Sequence, residues 1–293
     1  MATVSGRKWK LIGAVLFGLT VVSLSVLQYA VRGNFVGTEP DTGVGGQVIS
    51  KGEPGHKIAG RLYVEAHPGI AGPLVVVLHG DAPFAKPGYH YRFAAALSKQ
   101  VPGVPVVALL RPGFADPFGA KSDGRRGGAS GDDYTKEVAL DVSNAIVALR
   151  HDFLSKQVVL VGHSGGAAIA ANVAAVSPEL INSLVLVSCP CDVPAFRLHM
   201  ARQQLSPFFL WPSDSESPLD TVNALKPWTR IFAITGEQDP ITLVEYAREY
   251  TDAAVARGLK ATLMVLPERG HEILNDKAVL EFTQQRVEDL LYQ

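Results

Sequence analysis

From residue 47 onward, short apolar runs alternate with segments whose apolar positions recur at helical spacing. "QVISKG" and "GRLYVEAH" alternate apolar and polar positions around a turn and predict a first hairpin. "GPLVVVLHG" is an unbroken apolar run closed by glycine, the pattern of a strand covered on both faces. "VPVVALLRPGF", "VVLVGH", "INSLVLVSC", "TRIFAITG" and "KATLMVLPE" continue the strand series. Between them, "RFAAALSKQ", "DDYTKEVALDVSNAIVALRHDFL", "LVEYAREYTDAAVARGL" and "DKAVLEFTQQRVEDLLYQ" read as helices, the second with an acidic first turn. Alternation of this kind predicts an α/β fold: a mostly parallel, doubly wound sheet of about eight strands, with chemistry gathered at the carboxyl ends of the strands. Residues 192–228, with "PFFLWP" inside, fit neither period and read as a small insertion, either a cap over the site or a loop covering the core.

Upstream of residue 47 the pattern changes. Residues 11–31 form an apolar run without a charge, preceded by Arg7, Lys8 and Lys10. At ~1.5 Å per residue such a run is about long enough to cross a bilayer. A cleaved signal segment is the alternative, but cleavage after Ala30 would put Gln28 where a small residue is expected, so an uncleaved anchor is preferred. Only Arg32 closely follows the run, so the positive-inside rule places residues 1–10 in the cytoplasm and sends the rest across. Residues 32–46, rich in Gly, Pro and Thr, read as a linker. The expected organisation is an anchored protein whose domain, residues 47–293, is exported; secretion after cleavage is the alternative. No Asn-x-Ser/Thr sequon occurs, which favours the periplasmic side of a bacterial inner membrane over a eukaryotic lumen.

Charge and cysteine content narrow the partners. Lys and Arg number 27 against 28 for Asp and Glu, so no charge excess favours nucleic acid. The two cysteines, Cys189 and Cys191 in "SCPCD", form either a bridge across one residue or a pair of thiols at a strand end. Two thiols with no nearby histidine supply too few ligands for a metal, and no cofactor is implied.

The candidate chemistry starts at "VVLVGHSGGAAIAANVAA", where a buried strand breaks at glycines around one serine and continues as an alanine-rich helix. Gly162-His163-Ser164-Gly165-Gly166 is a Gly-x-Ser-x-Gly corner in the context that lifts a serine hydroxyl to the rim of a sheet. Flanking glycines let strand and helix approach, and the helix start aims N–H groups at developing negative charge. A serine needs a base, and His271 in "LPERGHEIL", just past the last strand, is the best placed. The imidazole needs a carboxylate; Asp239 in "TGEQDPIT" is the first candidate, with Glu237 and Asp192 as rivals. His163 is expected to pack beside the sheet. The oxyanion donors would be the backbone N–H groups of Gly165 and, after "VVVLHG", Asp81. The Asp81 side chain is expected to cap the next helix or turn to solvent.

Together, "LHGD", "RPGF", "GHSGG", "TGEQDP" and "RGHEIL" make residues 46–293 resemble the α/β-hydrolase superfamily. The resemblance implies Ser164, His271 and Asp239 as nucleophile, base and acid. It also implies pocket-rim roles for Arg111 and Phe114 of "RPGF". The "SPLD…LKPW" run is similar to the prolyl-oligopeptidase-like and dienelactone-hydrolase-like branch. The implied reaction is hydrolysis of a small-molecule ester or thioester through an acyl-enzyme. Acyl transfer or peptide cleavage by the same residues, or a non-catalytic binding module of this fold, stand as alternatives. The oligomeric state is left open.

Overall fold

A computed structural model describes residues 45–65, 72–128 and 130–291. The apolar run at 11–31 lies outside them, and among the described residues no helix is long and apolar enough to cross a membrane.

The expected strands form one eight-stranded sheet in the order β1-β2-β4-β3-β5-β6-β7-β8. They are β1 (Gln47–Lys51), β2 (Ile58–Tyr63), β3 (Leu74–Leu78), β4 (Val106–Leu109), β5 (Val158–His163), β6 (Ser183–Val187), β7 (Arg230–Gly236) and β8 (Lys260–Leu266). The hairpin β1–β2 is antiparallel and joins antiparallel to β4; the other strand pairs are parallel. The principal helices are α1 (Tyr89–Gln100), α2 (Lys136–Asp152), α3 (Gly165–Val176), α4 (Val193–Gln203), a short α5 (Pro218–Thr221), α6 (Val244–Ala256) and α7 (Lys277–Leu291).

The unbroken apolar runs follow from burial on both faces. Alternate residues of a strand point to opposite sides. Leu74, Val76 and Leu78 accordingly join the core beneath α2, α3 and α6, while Val75 and Val77 join the core beneath α1 and α7. The first helix turn of α2 is closed by Thr135, whose hydroxyl accepts from the Val138 N–H at 3.3 Å.

The insertion contains more order than its sequence predicts. Asp192 caps α4, accepting from the Ala195 N–H at 3.1 Å, and Pro194 stands in the first turn. The inward residues are Val193, Phe196, Arg197, Met200 and Ala201, a helical period hidden in the sequence by a charged residue on the buried face. Arg197 is held there by an ion pair with Asp132 and by a 2.6 Å bond to the Trp211 carbonyl. Phe196, Met200, Ala201, Phe209 and Tyr246 build a small separate core between this segment and α6. Of the two readings for the cysteines the structure has the bridge: Cys189 and Cys191 are joined, buried just beyond β6.

Candidate active site

Ser164 stands between β5 and α3 at φ 53°, ψ −127°, a strained left-handed backbone for a residue with a Cβ. The strain is held by hydrogen bonds on both sides: the Ser164 N–H reaches the Val187 carbonyl at 2.8 Å, and its own carbonyl accepts from Ala167 at 2.8 Å. The flanking glycines are steric requirements. A Cβ at Gly162 would overlap the Gly166 carbonyl and Ala167, and one at Gly166 would overlap the backbone of Leu78 and His79.

His271, five residues beyond β8, and Asp239, three beyond β7, meet this corner. His271 Nε2 lies 3.0 Å from Ser164 Oγ, and its Nδ1 lies 2.9 Å from Asp239 Oδ2. The remaining acceptor sites of Asp239 are taken by the N–H groups of Ile241 (2.8 Å) and Thr242 (2.9 Å) and by the Thr242 hydroxyl (2.6 Å). Burial disfavours the Asp239 charge. The His271 contact and the Thr242 bonds outweigh it and hold the carboxyl below its ordinary pKa. Burial likewise opposes a charged His271, but the Asp239 bond and charge, with Glu272 and Asp81 behind them, raise its pKa. An ionised Asp239 fixes the proton on Nδ1 and leaves Nε2 free to accept from serine. The two rival carboxylates are engaged elsewhere: Glu237 Oε2 accepts from the Glu268 N–H at 3.2 Å, and Asp192 caps α4.

His163 does pack beside the sheet, in a defined tautomer. Its Nε2 faces the His271 carbonyl at 3.1 Å and therefore donates, so its Nδ1 accepts from the Tyr89 hydroxyl at 2.7 Å. Tyr89 in turn accepts from the Gly80 N–H at 2.7 Å. Burial lowers the His163 pKa and keeps the ring neutral. This chain ties the loop after β3 to the loop carrying His271, and it consumes the Gly80 amide. Asp81 carries the next backbone N–H in the chain, and the Gly165 N–H, at the first position of α3, has no intrahelical acceptor.

The side chain of Asp81 caps no helix and turns inward to two protein partners, leaving only a small part exposed. Its Oδ1 accepts from Arg111 Nη1 at 2.5 Å and its Oδ2 from the Tyr134 hydroxyl. Arg111 also donates to the Gly131 carbonyl at 3.2 Å, and its backbone N–H to His79 Nε2 at 3.0 Å. Burial pushes the Asp81 carboxyl up, against the pull of Arg111 and Tyr134. The expectation that Arg111 and Phe114 form the pocket rim is corrected by their position. Both are buried behind Asp81, with the Arg111 guanidinium 5.2 Å from the Phe114 ring centre, and neither lines the pocket. The reason is that the charge of Asp81 requires a partner on its protein side.

The pocket above Ser164 and His271 has a volume of ≈ 390 Å³. Phe196, Met200 and Phe209 of the insertion and Ile241 give it apolar lining, and Tyr89 and Glu272 line it too. Tyr89, Tyr134, Thr242 and Glu272 had no signal in the sequence pattern: Tyr89 and Tyr134 act through His163 and Asp81, 74 and 53 positions away, Thr242 through the turn it shares with Asp239, and Glu272 only by its place on the pocket wall. Among the described residues no cluster of His, Cys, Asp and Glu could hold a metal ion.

The profile of the "Alpha/beta hydrolase family" matches residues 75–220. Among solved structures, Est1E from Butyrivibrio proteoclasticus superposes at TM-score 0.60 and 14% identity, over 85% of this chain and 98% of that one. An esterase of Pyrococcus furiosus does so at TM-score 0.63 and 17% identity, over 87% and 98%. The acylaminoacyl peptidase of Pyrococcus horikoshii matches at TM-score 0.63 and 12% identity, over 84% of this chain but 41% of its own. No curated protein matches the chain in sequence. At these identities the structural likenesses establish the fold.

Proposed function

The chain belongs to the α/β-hydrolase superfamily, and within it we propose that it is a serine hydrolase of ester-type substrates, carboxylic ester or thioester. The observation that carries this reading is the hydrogen-bonded line Asp239–His271–Ser164, in which the fixed proton on Nδ1 leaves Nε2 to accept. In the first half-reaction, Ser164 Oγ bonds to the substrate carbonyl carbon as its proton passes to His271 Nε2. The oxyanion is received by the N–H groups of Gly165 and Asp81, each donor typically worth ~3 kcal/mol in the transition state. His271 then gives its proton to the departing alcohol or thiol. Water attacks the acyl-enzyme with His271 again as base, releasing the acid and restoring Ser164. The insertion serves as a cap whose Phe196, Met200 and Phe209 receive the apolar part of the substrate.

The uncharged run at residues 11–31, behind Arg7, Lys8 and Lys10, supports placing this hydrolase on a membrane anchor with its domain on the far side. One experiment addresses both statements. A fluorophosphonate probe should label full-length protein in alkaline-washed membranes and fail to label Ser164→Ala. A folded wild type that takes no label refutes the hydrolase, and a labelled full-length band in the wash refutes the anchor.

A further inference from the structure

The pocket is asymmetric in charge. Among the described residues Asp81 and Glu272 are the carboxylates on its wall, and no lysine or arginine lines it. Asp81 is matched by Arg111 directly behind it. Glu272 is exposed beside the base, and among the described residues no ion pair or hydrogen bond engages its carboxylate. Its charge is nonetheless felt across the site. After burial, Glu272 is the next cause raising the Tyr89 hydroxyl, and for His271 it adds to the rise that Asp239 produces against burial. An anionic substrate entering here meets a like charge with, among the described residues, no lysine or arginine on the wall to compensate. A cation meets an unmatched carboxylate and the aromatic surface of Tyr89, both of which attract ammonium groups.

Resting on the serine-hydrolase reading above, we propose that Glu272 is a specificity-determining residue that receives a positively charged group of the substrate. The apolar part lies along Phe196, Met200, Phe209 and Ile241, and an ammonium-type centre sits at Glu272. The substrate class is therefore a cationic ester, with neutral analogues accepted less well and carboxylate-bearing ones rejected.

The test uses the full-length protein and three matched fluorophosphonates, ending in a trimethylammonium, a tert-butyl or a carboxylate group. Ser164 Oγ displaces fluoride from phosphorus, so the second-order labelling rate reads access to the serine whatever the natural substrate. At low salt the cationic probe should react at least about fivefold faster than the neutral one, and the carboxylate probe slowest. The advantage should shrink above about 0.1 M ionic strength, fall towards unity in Glu272→Gln and persist in Glu272→Asp. Equal rates for cationic and neutral probes overturn the proposal, as does an advantage that Glu272→Gln leaves intact. Should Glu272→Gln fold poorly, a wild-type advantage insensitive to salt overturns it too. Labelling by none of the three overturns the hydrolase reading itself, an outcome distinct from labelling without discrimination.

Discussion

Arg111→Met isolates the buried ion pair behind the pocket. The Arg111 side chain is 1% exposed and Asp81's is 15% exposed, with 2.5 Å between Nη1 and Oδ1. Removing one partner of a buried pair typically costs about 3–5 kcal/mol, because the other charge stays behind without compensation. Asp81 retains the Tyr134 hydroxyl and some contact with water, which puts the expected loss near the lower figure, about 3 kcal/mol. The cost should depend on pH. Burial already raises the Asp81 carboxyl, and without Arg111 it rises further, so the folded variant binds a proton more readily than the unfolded chain. Its stability should therefore fall as pH rises from below the ordinary carboxylate range through the raised folded pKa. The variant should lie closest to wild type at acid pH. The double variant Asp81→Asn, Arg111→Met removes the orphaned charge and should recover most of the loss at neutral pH. Urea unfolding of wild type, single and double variants between about pH 5 and 8 measures all three quantities. A loss below about 1 kcal/mol, a loss independent of pH, or a double variant no better than the single would each refute the account of Asp81 as a charge held by Arg111.

The pH profile and the packing of the elbow give further expectations. His271 must be neutral to act as base and its pKa is raised, so kcat/KM should climb with pH along a limb centred above the ordinary imidazole value of about 6.5. Asp239→Asn should lower kcat by about 10⁴, as in a comparable triad, and move that limb to lower pH; a limb at or below 6.5 in the wild type counts against the assignment. Replacing glycine by alanine in a helix usually stabilises by about 0.5–1 kcal/mol. Gly165→Ala should instead lower the melting temperature, because its Cβ would run into the Asp81 carboxylate and the Tyr134 ring; a rise would show that this contact gives way.

What was legible in the sequence, and what was not, divides along one physical line. The sheet was legible because its strands are covered on both faces, and two-sided burial writes itself as unbroken runs such as "LVVVL". Ser164, Asp239 and His271 were legible as a group because each stands within a few residues of a strand's carboxyl end, so topology alone brings them to one rim. Helix α4 was missed, and Asp81 and Arg111 were placed in the wrong surroundings, for a shared reason. In each case a charged side chain points inward, where a one-dimensional pattern reads charge as surface. Arg197 breaks the helical period of α4, yet the charge that allows its burial is Asp132, 65 residues away. The family resemblance of "RPGF" implies a rim role for Arg111, yet it faces Asp81 across 30 positions of chain. A buried charge is tolerable only with a partner, and the partner is chosen by the fold rather than by the neighbouring sequence. Glu272 is the complementary case: it too lies at a strand's carboxyl end, but the fold supplies it with no partner among the described residues, and an unmatched charge on a pocket wall is a feature that only the assembled site reveals.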